Sequence, residues 1–293
     1  MRNNGVIGVS GGADSLCLLH KMHSEGREFV VAHFNHNLRP TSKADAEFVQ
    51  DFCEQLGIEC VVDEGNVAQF SAERKISIEL AGRLMRYSFF ADLGDTVYTA
   101  HNANDNAESI IMHLLRGSGS GGLCGIAPEM DMHLEDGRVI RLIRPLIKTT
   151  RSEIEQYCRE HGIQPLHDET NNDTKYFRNK IRHEIMPVLY ENSSVEAINR
   201  AGEILREEND YFEKVIAEFP ADIETKWFTP LPLAIKRRIL LKRTKALTAA
   251  TVSLERIDSC IEMAEKGYGG KIIELPDGIK VTLVKGELRI CKS

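Results

Sequence analysis

The apolar run Val6-Ile7-Gly8-Val9 passes directly into Ser10-Gly11-Gly12-Ala13-Asp14-Ser15 and then into Leu16-Cys17-Leu18-Leu19-His20. A short apolar run, two adjacent glycines and a helical pattern read as a strand, a tight turn and a helix N-terminus. Such a junction can hold an anion. The glycines let the backbone turn with its N–H groups facing inward and no Cβ in the way. The helix adds its unpaired amides and the positive end of its dipole. On this reading Ser10, Gly11, Gly12, Ala13 and Ser15 contact phosphate oxygens, with both serine hydroxyls donating. Asp14 would repel phosphate unless a cation lay between them, so it reads as a magnesium contact. The plain alternative is a Gly-Gly turn with the serines as caps.

The spacing is not that of a Walker loop, which needs more separated glycines and a following Lys-Ser/Thr. Nor is it the dinucleotide GxGxxG pattern. Ser10–Ser15 resembles the SGGxDS pyrophosphate-binding loop of the PP-loop, or N-type, ATP pyrophosphatases. That resemblance implies ATP as cosubstrate, cleaved between its α- and β-phosphates.

Through the first half of the chain, apolar runs alternate with helical patterns. Strands are expected at 6–9, 29–34, 59–63 and 96–100, and helices at 14–25, 41–56, 78–93 and 104–115. Alternation of this kind predicts an α/β fold with a parallel sheet covered on both faces. Ligands on such sheets bind at the carboxyl ends of the strands. The 10–15 loop lies at such an end, as do His33-Phe34-Asn35-His36 and His101-Asn102-Ala103-Asn104-Asp105. Residues 117–125, rich in Gly and Ser, are either a flexible linker or a mobile cover for that edge. A hairpin is expected over 129–143, helices at 150–161 and 175–190, and a long charged helical segment over 196–218. The last part reads as helices at 232–247 and 253–265, then strands joined by Asp277-Gly278 and Lys285-Gly286-Glu287 turns.

A length of 293 residues fits about two domains, and 42% hydrophobic residues suffice for a core in each. No apolar run approaches the ~18 residues of a membrane span. The polar N-terminus leads at once into a core strand, which leaves no room for a signal peptide and makes a cytoplasmic location the expectation. Seven cysteines are scattered without any CxxC, so a zinc ribbon, an iron–sulfur site and a disulfide framework lack support. The net charge of −7 is unevenly distributed. From residue 216 onward there are 14 Lys and Arg against 10 Asp and Glu, whereas the preceding residues carry 23 against 34. The basic part is the candidate nucleic-acid surface.

Further motifs follow the expected strands: His33-Phe-Asn-His-Asn-Leu-Arg39, Glu79-Leu-Ala-Gly-Arg83-Leu-Met-Arg86-Tyr87 and Ala100-His101-Asn-Ala-Asn-Asp105-Asn-Ala-Glu108. Then come Arg116-Gly-Ser-Gly, Ile143-Arg144-Pro145-Leu146, Asp168-Glu-Thr-Asn171, and Arg178-Asn179-Lys-Ile-Arg182. In this order they resemble the tRNA(Ile)-lysidine synthetase family over nearly the whole chain. The resemblance implies an adenine-nucleotide α-hydrolase-like (Rossmann-like) catalytic domain at 1–195. It implies a helical linker and a smaller α+β tRNA-binding domain at 196–293. It also implies ATP and Mg²⁺, free L-lysine, and isoleucine tRNA with a CAU anticodon. ATP would adenylate O2 of the wobble cytidine, and the lysine ε-amine would then displace AMP at C2. Two positions depart from the commonest pattern, since Asn102 and Asn104 stand where His and Asp are usual. The metal role then falls on Asp14 and Asp105. Many family members also carry a further C-terminal domain.

Each assignment has a plainer rival. Phe34 lies near adenine or is a core aromatic. Asp105 binds Mg²⁺ or orients the lysine ammonium, or else belongs to a helix cap. His101 meets phosphate or assists proton transfer, or is a structural strand-end histidine. Arg83 neutralises phosphate or meets tRNA, or pairs with Glu79 one turn away. Arg178, Lys180 and Arg182 contact phosphates flanking the wobble base, or form a solvated helix face. Lys236, Arg237, Arg238, Lys242 and Arg243 contact the tRNA backbone, supplying affinity without sequence information. The long helical linker could support a homodimer. Two other functions compete: cytidine thiolation by a related PP-loop enzyme, which the missing CxxC disfavours, and a non-catalytic ATP- or RNA-binding module, which the paired Asp14 and Asp105 disfavour.

Overall fold

A computed structural model describes residues 5–37, 42–166, 177–248 and 250–292. Arg39, the expected helix start at 41, the 168–171 motif and the first two residues of the expected 175–190 helix lie outside these. The chain divides into two compact units, 1–206 and 207–293.

The first unit runs β1 (Gly5–Gly8), α1 (Ala13–Ser24), β2 (Phe29–Asn35), α2 (Ser42–Gln55), β3 (Cys60–Glu64), α3 (Val67–Arg74), α4 (Ile78–Leu93), β4 (Thr96–Tyr98), α5 (Ala103–Leu115) and α6 (Ser120–Leu123). It continues with β5 (Glu129–His133), β6 (Val139–Ile143), α7 (Arg151–Glu160), α8 (Phe177–Lys180), a π-helical turn at Ile181–Ile185, and α9 (Met186–Tyr190). Helix α10 (Val195–Ala217) contains the division between the units. The six strands are ordered β3-β2-β1-β4-β6-β5. All pair in parallel except β5, which is antiparallel to β6 as the second arm of the expected hairpin.

The central strands are buried on both faces, which is why they read as continuous apolar runs rather than alternations. Ile7 and Val31 pack with Leu16, Leu19, Val49 and Ile154 of α1, α2 and α7 on one side. Val6, Ala32 and Val97 pack with Val67, Ala81, Tyr87 and Phe90 of α3 and α4 on the other. Gly8 is small of necessity, because a Cβ there would lie 2.7 Å from the Phe90 ring. Helix α3, unanticipated from sequence, starts where Asn66 accepts a bond from the Gln69 amide at 3.0 Å.

The second unit is α+β, with β7 (Ile223–Glu224), α11 (Thr225–Phe228), α12 (Leu233–Lys245), α13 (Leu254–Lys266), β8 (Ile272–Glu274), β9 (Ile279–Val284) and β10 (Glu287–Lys292). Its four strands are ordered β7-β10-β9-β8. The β9–β10 turn uses Lys285 and Gly286, both at positive φ. Phe228, Ile239, Leu240, Ile257 and Val281 form its separate core. Among the described residues no helix is long and apolar enough to cross a membrane.

Candidate active site

The loop between β1 and α1 is shaped by Gly11, whose φ of +84° is a conformation L side chains rarely adopt. A Cβ there would also stand 2.8 Å from Leu166 Cδ1. Ser15 Oγ donates to the Gly12 carbonyl at 2.9 Å and accepts from the Ser10 amide at 3.2 Å, which closes the turn. Gly12 caps α1 without a side chain, and the first in-register helical bond runs from the Leu16 amide to the Gly12 carbonyl. The amides ahead of Leu16 therefore have no intrahelical acceptor. Helices α4, α5 and α7, by contrast, are capped by Ser77, Asn102 and Thr150. The uncapped helix and its glycine turn leave amides at the carboxyl edge of the sheet with the geometry to receive an anion.

Asp14 sits in the first turn of that helix. Asn102 Nδ2 donates to Asp14 Oδ1 at 2.9 Å, and the Arg151 guanidinium lies 3.7 Å from Oδ2. Burial, and secondarily the nearby Asp105 carboxylate, raise the Asp14 pKa above the ordinary carboxylate value. A cation between the two carboxylates would relieve that repulsion. Asp105 itself closes a capping box with Asn102: its amide donates to Asn102 Oδ1 at 2.9 Å, and its Oδ2 accepts from the Asn102 amide at 3.1 Å. The helix-cap reading of Asp105 is thus realised, and it is not the whole of its role. Its Oδ1 accepts from Arg182 at 2.9 Å and from Arg178 at 3.3 Å.

Arg182 also makes a forked contact to Glu108 at 2.6 and 2.9 Å, and Arg178 reaches the same carboxylate at 3.4 Å. Glu108 is only 4% exposed. Two carboxylates and two guanidiniums thus form one network at the start of α5. Arg178 and Arg182 stand four residues apart, so one helical face presents both. The solvated-face alternative for these two arginines is corrected: their charge is committed to Asp105 and Glu108 because a buried carboxylate requires a partner. Lys180 is different; its ammonium is exposed and 3.9 Å from Glu184.

His101 Nδ1 shares a hydrogen bond of 3.0 Å with Thr99 Oγ1. Burial pushes its pKa down to about 4, against the opposing pull of Asp105. The ring is neutral near pH 7 and suits hydrogen bonding better than proton storage. Arg83 does not pair with Glu79; its guanidinium lies 4.8 Å from the centre of the buried Tyr87 ring. Arg86 flanks the same ring at 5.5 Å. Arg144, 4% exposed, donates to the Ala127 carbonyl at 2.7 Å. Phe34 is 7% exposed and packs on Phe89 at 6.0 Å, as a core aromatic would, and it also borders a cavity with Met85 and Phe89.

The Gly-Ser segment contains the short helix α6 and is anchored at its C-terminal end. Arg206 donates to the carbonyls of Cys124 and Ile126, and the Ile126 amide donates to Asn106 Oδ1 at 2.6 Å. In the second unit the basic stripe of α12 finds internal partners. Lys236, 6% exposed, meets Glu265 and the Thr229 carbonyl, so its ammonium is not offered to a phosphate. Arg237 forks onto Asp258 at 2.7 and 2.8 Å. Arg238 donates to Asn209 at 2.8 Å, Lys242 to Glu213 at 3.0 Å and Arg243 to the Pro220 carbonyl at 3.0 Å.

Sequence reasoning gave no role to Asn102, Glu108 or Arg151. Asn102 and Glu108 lay inside a recognised motif, yet the spacing could not show that one holds Asp14 and the other Arg182. Nothing local singles out Arg151. Among the described residues no group of three or more His, Cys, Asp or Glu side chains stands in a metal-holding arrangement.

Comparison with known proteins bears on this arrangement. A family profile described as the PP-loop domain matches residues 1–189. A tRNA(Ile)-lysidine synthase of Clostridium acetobutylicum is 37% identical over 300 residues, covering 94% of this chain and 63% of that protein. One of Clostridium tetani is 33% identical, covering 97% and 64%. The chain thus spans less than two thirds of the length of these relatives. Among solved structures, the U34-tRNA thiolase NcsA of Methanococcus maripaludis superposes with a TM-score of 0.54 at 18% identity, over 70% of this chain and 72% of that one. This likeness is one of fold.

Proposed function

The chain belongs to the PP-loop family, and from that premise we propose that it is an ATP-dependent tRNA(Ile)-lysidine synthase acting in the cytoplasm. Its substrates are ATP, free L-lysine and an isoleucine tRNA with a CAU anticodon. The observation that carries the reading is the uncapped α1 N-terminus with Asp14 held beside Asp105 by Asn102. The likeness to named lysidine synthases over 94% and 97% of the chain supports the choice of reaction.

In this scheme the amides of residues 11–15, with Ser10 and Ser15, bind the β- and γ-phosphates and stabilise charge as pyrophosphate leaves. Asp14 would be the principal residue holding magnesium: its carboxylate is partly open, and burial beside Asp105 leaves its charge under-compensated in a way a cation would relieve. Asp105 contributes less directly, since both its oxygens already accept hydrogen bonds. When bound, Mg²⁺ would offset phosphate charge and polarise the α-phosphorus. Cytidine O2 attacks that phosphorus and the bond to the bridging oxygen breaks, giving an adenylated base and pyrophosphate. The ε-amine of lysine, after losing a proton, then forms the bond to C2 while the C2–O bond breaks and AMP leaves. Asp105, at the open side of the arginine network, orients the incoming ammonium. Arg151, 3.7 Å from Asp14, can turn to the departing pyrophosphate. Arg83 and Lys180, with Arg237, Arg238, Lys242 and Arg243, are the proposed contacts to the tRNA backbone.

The decisive experiment is incorporation of radiolabelled lysine into a CAU-anticodon isoleucine tRNA transcript, with and without ATP. ATP-dependent incorporation, lost in Asp14→Ala and with a wobble-U transcript, is the expected result. ATP cleavage to AMP and pyrophosphate without incorporation would require a different nucleophile.

A further inference from the structure

The reaction demands that the wobble base be splayed from its neighbours and held, and the network around Asp105 supplies charge but no flat face. A flat face does exist nearby. Phe177, the first described residue of α8, is 41% exposed, and the Arg116 guanidinium lies 5.5 Å from the centre of its ring. Arg116 caps the C-terminus of α5, eight residues beyond Glu108, which corresponds to about 12 Å along the helix axis. The residue after Phe177 is Arg178, which binds Asp105 and Glu108. The aromatic–guanidinium pair is therefore tied to the catalytic network from both of its elements.

Arg116 has no carboxylate within ion-pair distance among the described residues, so its charge is available. The backbone beside it is open: a Cβ added at Gly117 or at Gly119 would meet nothing within 4 Å. Leu114 and Leu115, 55% and 54% exposed, extend the apolar surface. An exposed aromatic face beside a guanidinium with no ion-pair partner among the described residues, along a low-relief backbone, is the chemistry that stacks unpaired bases of single-stranded RNA. A protein partner would use the apolar area but would have no need of the π face.

We propose that Phe177 and Arg116 form a stacking platform for an unpaired anticodon-loop base next to the modified cytidine, positioning the substrate without touching the reacting atoms. This rests on the tRNA-modifying reading above. The test measures KM for the tRNA transcript, KM for ATP and kcat in Phe177→Leu, Phe177→Trp and Arg116→Gln, with binding of an anticodon stem–loop RNA followed separately by fluorescence anisotropy. Phe177→Leu keeps the apolar bulk and removes the π face, and it is expected to raise the tRNA KM and the stem–loop Kd by about tenfold. Phe177→Trp should stay within about twofold, and the KM for ATP should not move in either. Arg116→Gln should weaken binding and lower the slope of log Kd against log salt by about one. An unchanged tRNA KM in Phe177→Leu, or equal losses in the Leu and Trp variants, overturns the platform. So does an altered sedimentation coefficient with tRNA KM intact, which would assign the face to a second copy of the chain. If the wild type makes no lysidine, the functional reading fails, while the stem–loop Kd still decides the platform on its own.

Discussion

Gly11 and His101 show how much single residues near the sheet edge are asked to do. Gly11 turns the chain at φ +84° with 2.8 Å between its notional Cβ and Leu166. Gly11→Ala is expected to displace the amide cradle and raise the KM for ATP by at least about tenfold, while costing about 1–2 kcal/mol of stability. ATP–pyrophosphate exchange and a urea melt measure the two effects. His101 has its pKa lowered from 6.5 to about 4 by burial. A histidine whose folded pKa is depressed binds more protons unfolded, so its contribution is fully present above pH 6.5 and is lost as pH falls toward 4. His101→Gln should therefore flatten the decline in urea-measured stability across that window. An unchanged slope would show that the acid sensitivity lies elsewhere.

At the scale of elements, α5 links fold to chemistry. Its capping box supplies the helix start, and the same Asn102 amide group that remains free donates to Asp14. Asn102→Ala removes both, and a loss of about 1–2 kcal/mol is expected in thermal or urea unfolding, the larger share from the cap. Asn102→Asp should recover most of that cap. It cannot donate to Asp14 and adds a like charge, so a defect in ATP–pyrophosphate exchange should persist while stability recovers. Recovery of both would tie the exchange activity to the cap and leave the Asn102–Asp14 contact without a part in it. The π-helical turn after α8 belongs to this scale too. It carries Arg182 and directly follows Arg178 of α8, the two arginines that meet Asp105 and Glu108, and such turns often accompany functional sites.

For the whole molecule, net charge misdescribes which charges are available. The residues from 216 onward carry an excess of basic groups, yet Lys236 is 6% exposed and bound to Glu265. Lys236→Met should lower the melting temperature and leave the salt dependence of the tRNA KM unchanged. Arg237→Ala with Arg238→Ala, at more accessible positions, should raise that KM and flatten its salt dependence. Equal salt slopes in the two variants would remove α12 from the tRNA surface.

The sequence by itself determined the α/β class, the glycine turn at residues 10–15 and the helices around it. Each of these follows from local periodicity, glycine freedom or cap chemistry, which act within a few residues. The expected helix at 78–93 matches α4 residue for residue. Tertiary structure alone decided which charges meet. Asn102 reaches Asp14 across 88 positions and Arg182 reaches Glu108 across 74, and no local pattern encodes such pairings. It also turned Phe34 into the core and Lys236 toward Glu265. A buried charge must find its counter-charge wherever the packed chain brings one, and a residue's type records the need for a partner without its address.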